Sequence, residues 1–206
     1  MRLTRRNSIE ILLLLLCSDL FIIAIHVAIR LFSIPSGGYW SIGEERSLGE
    51  TFQHIKELWL VFSFVALIRI RGDWSYLSMF LLFSYILIDD MFQVHEKAGF
   101  KLATALNFQP MLGLRAEDFG ELLVSAIAGA GLALIIGYSY WRGNATFRHV
   151  CQRVGILFGG LVFCGIGLDT VHAIVDKIEG ISQVMETLED GGELLVTSAL
   201  CWYGVS

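Results

Sequence analysis

Acidic and histidine side chains recur inside the apolar segments of this sequence at two repeated spacings. The pairs that stand two helical turns apart are Asp19 with His26, Asp89 with Glu96, and Asp169 with Asp176. The pairs that are neighbours at i and i+3 on a helix surface are His54 with Glu57, Asp118 with Glu121, and Asp190 with Glu193. Carboxylates and imidazoles that converge from several helices form metal sites in helical bundles. All of these residues are therefore predicted metal ligands.

Two further histidines lie beside the widely spaced pairs. Asp169-x-x-His172 has the form of the acid-x-x-His element of dimetal sites, so His172 joins the predicted ligands. His95 is the predicted catalytic residue, as a proton-transfer group or as an additional ligand. A site with many oxygen ligands and few imidazoles favours a divalent ion of iron, manganese, zinc or calcium. No C-x-x-C pair occurs, which removes iron–sulfur clusters and zinc knuckles from consideration.

A structural explanation competes for the closely spaced acids, because acids in a first helical turn cap free N–H groups and meet the positive end of the dipole. For Glu117 and Glu189 that explanation is as good as a functional one. It is weaker for Asp19 and Asp89, which lie inside apolar sequence, where an unpaired carboxylate costs about 2.5–3.5 kcal/mol. Cations such as Lys56 are too few and too peripheral, by sequence position, to neutralise the acids. We therefore expect bound metal or shared protons.

The elements that carry these residues are predicted to be membrane helices. The chain has 206 residues, of which 55% are hydrophobic and only 17% charged, which is too apolar for a soluble domain. The segments long enough to cross or nearly cross a bilayer are 8–33, 54–70, 75–98, 116–141, 150–177 and 186–205. The predicted fold class is all-α, a polytopic membrane protein with six transmembrane helices in one domain, residues 1–206.

An internal repeat groups the six segments into three tandem hairpins. The run Glu117-Asp118-Phe-Gly-Glu121-Leu-Leu-Val reappears as Glu189-Asp190-Gly-Gly-Glu193-Leu-Leu-Val. The hairpins cover approximately 8–70, 75–141 and 150–206. The widely spaced pairs fall late in each outgoing helix and the closely spaced pairs fall early in each returning helix. Every group is therefore predicted near one face of the bilayer.

Charge sets the predicted orientation and excludes one class of partner. Arginines such as Arg6, Arg71 and Arg142 collect at one side of the predicted helices, which the positive-inside tendency assigns to the cytoplasm together with both termini. The site is then near the extracytoplasmic face. The net charge is −5 and no basic stripe runs along a helix, so nucleic acid is not an expected partner. The expected partners are the lipid bilayer and a lipid or other hydrophobic small molecule.

One part of the chain resembles a known group. The run Asp89-Asp90-Met-Phe-Gln-Val-His95-Glu96-Lys-Ala-Gly99, followed by Glu117-Asp118-Phe-Gly-Glu121, is similar to a pattern in uncharacterised bacterial multi-pass membrane proteins. The similarity covers mainly residues 44–125. It implies that Asp90, His95, Glu96 and Glu121 form the hallmark of the group, and it fits a location in the bacterial inner membrane. It implies no reaction.

Three functions remain open from the sequence. The first is a metal-dependent membrane enzyme, an oxidoreductase or a hydrolase, that acts on a lipid or other hydrophobic substrate. The second is a transporter or channel in which the acids bind a cation or relay protons. The third is a structural subunit held together by a metal. A one-sided site is favoured over a conduction path, because segments such as 77–87 and 125–138 contain no acidic, basic or histidine residue.

Overall fold

The structure is a computed structural model that describes residues 5–32, 38–44, 46–111, 114–175 and 178–205. Its α-helices are α1 (Arg5–Phe32), α2 (Leu48–Arg71), α3 (Leu77–Phe92), α4 (Val94–Leu106), α5 (Ala116–Arg142), α6 (Ala145–Val162), α7 (Asp169–Val175) and α8 (Glu179–Val205). Short 3-10 helices occupy Gly38–Trp40 and Trp74–Tyr76, and a π-helical turn occupies Phe163–Leu168. These ranges contain no β-strand, so the predicted all-α class is confirmed.

Five helical stretches within the described residues are long and apolar enough to cross a membrane. They are Asn7–Phe32, Leu48–Arg71, Trp74–Phe92, Ala116–Arg142 and Ala145–Val175. The prediction of six is therefore corrected to five by length and composition. The segment predicted at 186–205 does form a helix, α8, but acids in its first half make it too polar to qualify.

Two predicted helices are interrupted. The segment predicted at 75–98 ends as α3 at Phe92, because Gln93 takes the left-handed conformation with φ of 50°. Asp89 and Glu96 therefore do not share the face of one continuous helix, as the sequence had predicted. The segment predicted at 150–177 begins at Ala145 and passes through the π-helical turn before α7. Asp176, a predicted ligand, lies outside the described residues.

The chain divides into two compact units. The first unit is Met1–Trp59 with Val154–Ser206, and the second is Leu60–Arg153. In the first unit, α1 and α8 run antiparallel along their whole lengths. Trp202 donates a hydrogen bond to Ser8 at one end (2.7 Å), and Arg30 donates to Glu186 at the other (2.6 Å). The helix whose acids exclude it from the membrane-length set is thus held against a membrane-length helix.

A buried ammonium group connects α1, α2 and α8 in the middle of the first unit. The Lys56 Nζ donates to Asp19 Oδ1 at 2.9 Å, to the Leu194 carbonyl at 2.7 Å and to Ser198 Oγ at 3.2 Å. Ser198 in turn donates to the second oxygen of Asp19 at 2.5 Å. The side chains of Lys56 and Asp19 are both fully buried. Lys56 is therefore not the peripheral cation that its position in the sequence suggested.

The second unit is closed at one end by its two short loops. Asn144 donates from Nδ2 to Asp73 at 2.8 Å, and each of these residues also caps the helix that follows it. Just inside this end, the rings of Tyr76 and Phe147 pack edge to face, with their centroids 5.2 Å apart. The end of α3 and the start of α5 therefore lie at the opposite end of the unit.

Removing the buried ammonium group tests this packing. We expect Lys56→Met to destabilise the protein by about 3–5 kcal/mol, because the Asp19 carboxylate is left buried without its cation. We expect the double variant Asp19→Leu/Lys56→Met to recover much of that loss. Chemical unfolding in mild detergent measures both, with the exposed Lys101→Met as the control. Equal stability of Lys56→Met and the wild type would contradict the structural role of the pair.

Candidate histidine–carboxylate site

Asp89 holds His95 by two hydrogen bonds at the junction of α3 and α4. Its Oδ1 accepts from the backbone N–H of His95 at 2.8 Å, and its Oδ2 accepts from the ring Nδ1 at 2.9 Å. The left-handed Gln93 turns the chain between them. Because Nδ1 is engaged by a carboxylate, Nε2 is the ring atom left to bind a metal or move a proton.

Two glycines bring Glu121 to the same helix face as His95. The backbones of α4 and α5 touch where Gly99 meets Gly120, so that a Cβ on Gly120 would overlap the Gly99 carbonyl group. A Cβ on Gly99 would stand only 2.7 Å from the Glu121 Cγ. His95 lies one turn before Gly99 on α4, and therefore on the face that Glu121 crosses.

The imidazole of His95 lies in a negative environment. Its hydrogen bond to Asp89 raises its pKa above the usual value for histidine, although partial burial opposes this effect. Glu96 and Glu121 also raise the pKa of His95 through their charges. Glu96 is exposed and Glu121 is half-buried. Asp89 is thus in hydrogen-bond contact with His95, and the charges of Glu96 and Glu121 act on the same imidazole.

Asp118, by contrast, is engaged in capping its own helix. It accepts from the backbone N–H of Arg115 at 2.7 Å and from the Arg115 guanidinium at 2.8 and 3.0 Å. Arg115 is the N-cap residue of α5, so this is the structural explanation weighed for acids in a first turn. The predicted ligand role of Asp118 competes with these bonds.

Asp19 and His26 share one buried face of α1, as their spacing predicted, but they have separate partners. Asp19 is bound to Lys56 and Ser198. The Nδ1 of His26 accepts from the Ile42 N–H at 3.2 Å, and its Nε2 lies 3.2 Å from Thr187 Oγ1. A neutral ring with its proton on Nε2 satisfies both bonds. Both ring nitrogens of His26 therefore already have protein partners.

A second cluster of acidic side chains lies on α7 and α8 in the first unit. His172 lies 3.0 Å through Nδ1 from Glu189 and 3.0 Å through Nε2 from Ser182. Glu193 accepts from Gln53 at 2.9 Å, and its carboxylate occupies the space that a Cβ on Gly165 would need. The acids close enough to interact electrostatically here are Asp169, Glu186, Glu189, Asp190 and Glu193.

The remaining predicted ligands lie on α2. His54 is partly buried, with its Nε2 3.9 Å from Glu50 one turn away, whereas Glu57 is fully buried. The His54 and Glu57 side chains project from adjacent positions on the surface of α2, as the i, i+3 spacing predicted.

The repeated sequence motif has a different structural role in each of its copies, residues 117–124 and 189–196. In α5 its first acid, Glu117, lies in the opening turn, whereas α8 begins at Glu179, so that Glu189 lies well inside the helix. Helix capping therefore cannot explain Glu189. The glycine positions are alike: Gly120 packs on Gly99, and Gly192 packs on the Cys164 sulfur.

Sequence reasoning missed the residues that bring the acids into place. Gly99 and Gly120 both stood in the quoted motifs, but only their acids and histidine were interpreted. The available signal was position on the helix, since Gly99 lies one turn after His95 and Gly120 immediately precedes Glu121. Gln53 and Gly165 carried no signal, because their role depends on which helix packs against them.

These features define a class: an all-helical protein with membrane-length helices and histidine–carboxylate groups at helix junctions. A family model described as a domain of unknown function (DUF8692) matches residues 9–206, and the chain belongs to that family. No curated protein and no solved structure gives a significant match.

The glycine crossing can be tested with matched variants on one helix. We expect Gly120→Ala to cost about 1–3 kcal/mol, because its new methyl group meets a backbone carbonyl that cannot move aside. Gly129→Ala and Gly131→Ala are the controls, since no atom lies within 4 Å of a Cβ at either position. We expect these to be neutral or slightly stabilising. Thermal unfolding in detergent measures all three, and equal losses in all three would argue against the close crossing.

Proposed function

We propose that this protein binds a divalent metal ion at the junction of α3, α4 and α5, with His95 Nε2 and the Glu121 carboxylate as ligands. Glu96, exposed beside the ring, supplies a further oxygen. The observation that carries this proposal is the pair of hydrogen bonds that His95 donates to Asp89. Metal-binding histidines almost always donate their second ring N–H to a carboxylate or carbonyl, which fixes the ring and raises its basicity.

The proposed roles of Asp89 and His95 differ from those inferred from the sequence. Both oxygens of Asp89 are occupied by His95, so Asp89 is a positioning residue rather than a ligand. His95 becomes the central ligand. Oxygen donors with one imidazole suit iron, manganese or zinc, with calcium a weaker fit because it prefers oxygen alone.

The activity we propose is that of a metal-dependent enzyme on a lipid or other hydrophobic substrate. A metal with one imidazole and two carboxylates keeps coordination positions open, which a Lewis acid or a metal-bound water requires. The partial exposure of His95 and Glu96 supports access from outside the helix bundle.

We propose a membrane arrangement for each unit taken by itself. In the second unit, Arg71 and Arg142 adjoin the loop end marked by Asp73 and Asn144, which we assign to the cytoplasm of a bacterial inner membrane. The site at the opposite end is then extracytoplasmic. In the first unit we propose α8 as a sixth crossing, since its contacts follow α1 from Ser8 to Arg30. The ends of α1 and α8 marked by Ser8 and Trp202 then share one face.

The contacts between α1 and α8 and those of Lys56 favour transport less than a metal-dependent enzyme. The α1–α8 contact carries polar pairs at His26 and Asp19, but α1 between Ile11 and Leu16 is wholly apolar. Lys56 is bound to three acceptors at once, which suits a fixed structural cation better than a proton carrier.

Elemental analysis of the protein purified in mild detergent tests the metal. We expect stoichiometric iron, manganese, zinc or calcium in the wild type and its loss in His95→Ala and in Glu121→Gln. Asp89→Asn should retain the site with about 10–100-fold weaker affinity, because the ring loses its carboxylate partner.

His149→Ala is the matched control, since His149 is an exposed histidine of the same unit on α6. It should keep the full metal content. Well-folded wild-type protein without metal would overturn the proposal, as would metal retained in both ligand variants. Circular dichroism of each variant confirms that a loss of metal is not a loss of fold.

A further inference from the structure

The short helix α4 connects two helices of membrane length. It has 13 residues and lies between α3 and α5, which are both candidate membrane spans. Its Gly99 meets Gly120 in the second turn of α5, close to where that helix begins. If α3 and α5 cross the bilayer, α4 lies at the bilayer face where α3 ends and α5 begins, close to the depth of the lipid headgroups.

The two sides of α4 differ in character. The side toward α5 carries the small buried residues Gly99 and Ala103. The outer side carries Phe100 and Val94, which are 55% and 37% exposed, together with the exposed Lys97 and Lys101. The two lysines stand one turn apart and therefore form a single cationic patch.

No acid of α4 lies within that patch. Glu96 is the only acid of the helix, and it is displaced from Lys97 by about 100° around the axis, toward the α5 side. Lys97 also donates to the Phe92 carbonyl at 2.7 Å, which holds its ammonium group near the start of the helix. An ammonium has three N–H donors, so this bond leaves donors for an anion.

We propose that the outer face of α4 binds the phosphate of an anionic phospholipid. Lys97 and Lys101 contact the phosphate, while Phe100 and Val94 insert beside the upper part of the acyl chains. Lysines paired with an aromatic side chain at headgroup depth are typical of helices that lie on anionic membranes.

The position of this face bears on the substrate. His95 precedes Lys97 on the same helix, so a lipid bound here lies beside the proposed metal site. We infer that an anionic phospholipid is the substrate class, and this inference rests on the proposed function. Lipid binding at Lys97 and Lys101 is independent of the proposed function, because the two lysines are not metal ligands.

The test uses the full chain in detergent after removal of metal. Phosphatidylglycerol and phosphatidylcholine compete for the protein, and native mass spectrometry measures which lipid is retained. We expect a preference for phosphatidylglycerol that falls about 25-fold in Lys97→Ala/Lys101→Ala, since each lysine near an anionic surface contributes roughly fivefold. Lys97→Arg/Lys101→Arg keeps both charges and should keep the preference.

A second measurement separates a bilayer lipid from a soluble anion. A spin label at Thr104, on the same outer face, should report headgroup depth in phosphatidylcholine–phosphatidylglycerol nanodiscs, and added inorganic phosphate should not displace the lipid. An unchanged lipid preference in the alanine pair overturns the inference, as does a label in bulk water or displacement by phosphate. Metal analysis of the same alanine pair, expected to be normal, separates this failure from failure of the proposed function.

Discussion

Charged side chains inside apolar helices need partners, and this requirement organises both units. In the first unit the ammonium of Lys56 meets Asp19, Ser198 and a backbone carbonyl, and so joins three helices at one point. Outside water, an unpaired charge costs far more than a missed apolar contact. The helices that carry these groups therefore have few alternative arrangements, and the polar helix α8 is fixed against α1.

In the second unit the same requirement is met at a break between helices. Asp89 lies at the end of α3, where the helix dipole disfavours an anion, and it is stabilised by two donors from His95. The left-handed Gln93 makes this possible by starting a new helix whose first N–H groups point back toward the carboxylate. The hydrogen bonds that satisfy Asp89 therefore also orient the His95 imidazole.

Close packing then decides which acids reach that imidazole. Gly99 and Gly120 let α4 and α5 approach until their backbones touch, and this places Glu121 on the His95 side of α4. Asp118, one turn earlier on α5, is drawn instead to the N-cap by Arg115. Two acids three residues apart thus have different roles, although their spacing made them equivalent candidates.

The sequence by itself determined the helical class and five of the six segments predicted to be long enough to cross a membrane, because composition and periodicity are local properties. It also paired Asp19 with His26 correctly on one face, since both lie on an unbroken helix. Only the tertiary structure decided that Lys56 is a buried partner of Asp19, that Asp89 positions His95, and that α8 begins well before Glu189. These findings depend on which helices pack against each other and on the left-handed Gln93. Residue spacing along a single helix encodes neither the packing partners nor the break at Gln93.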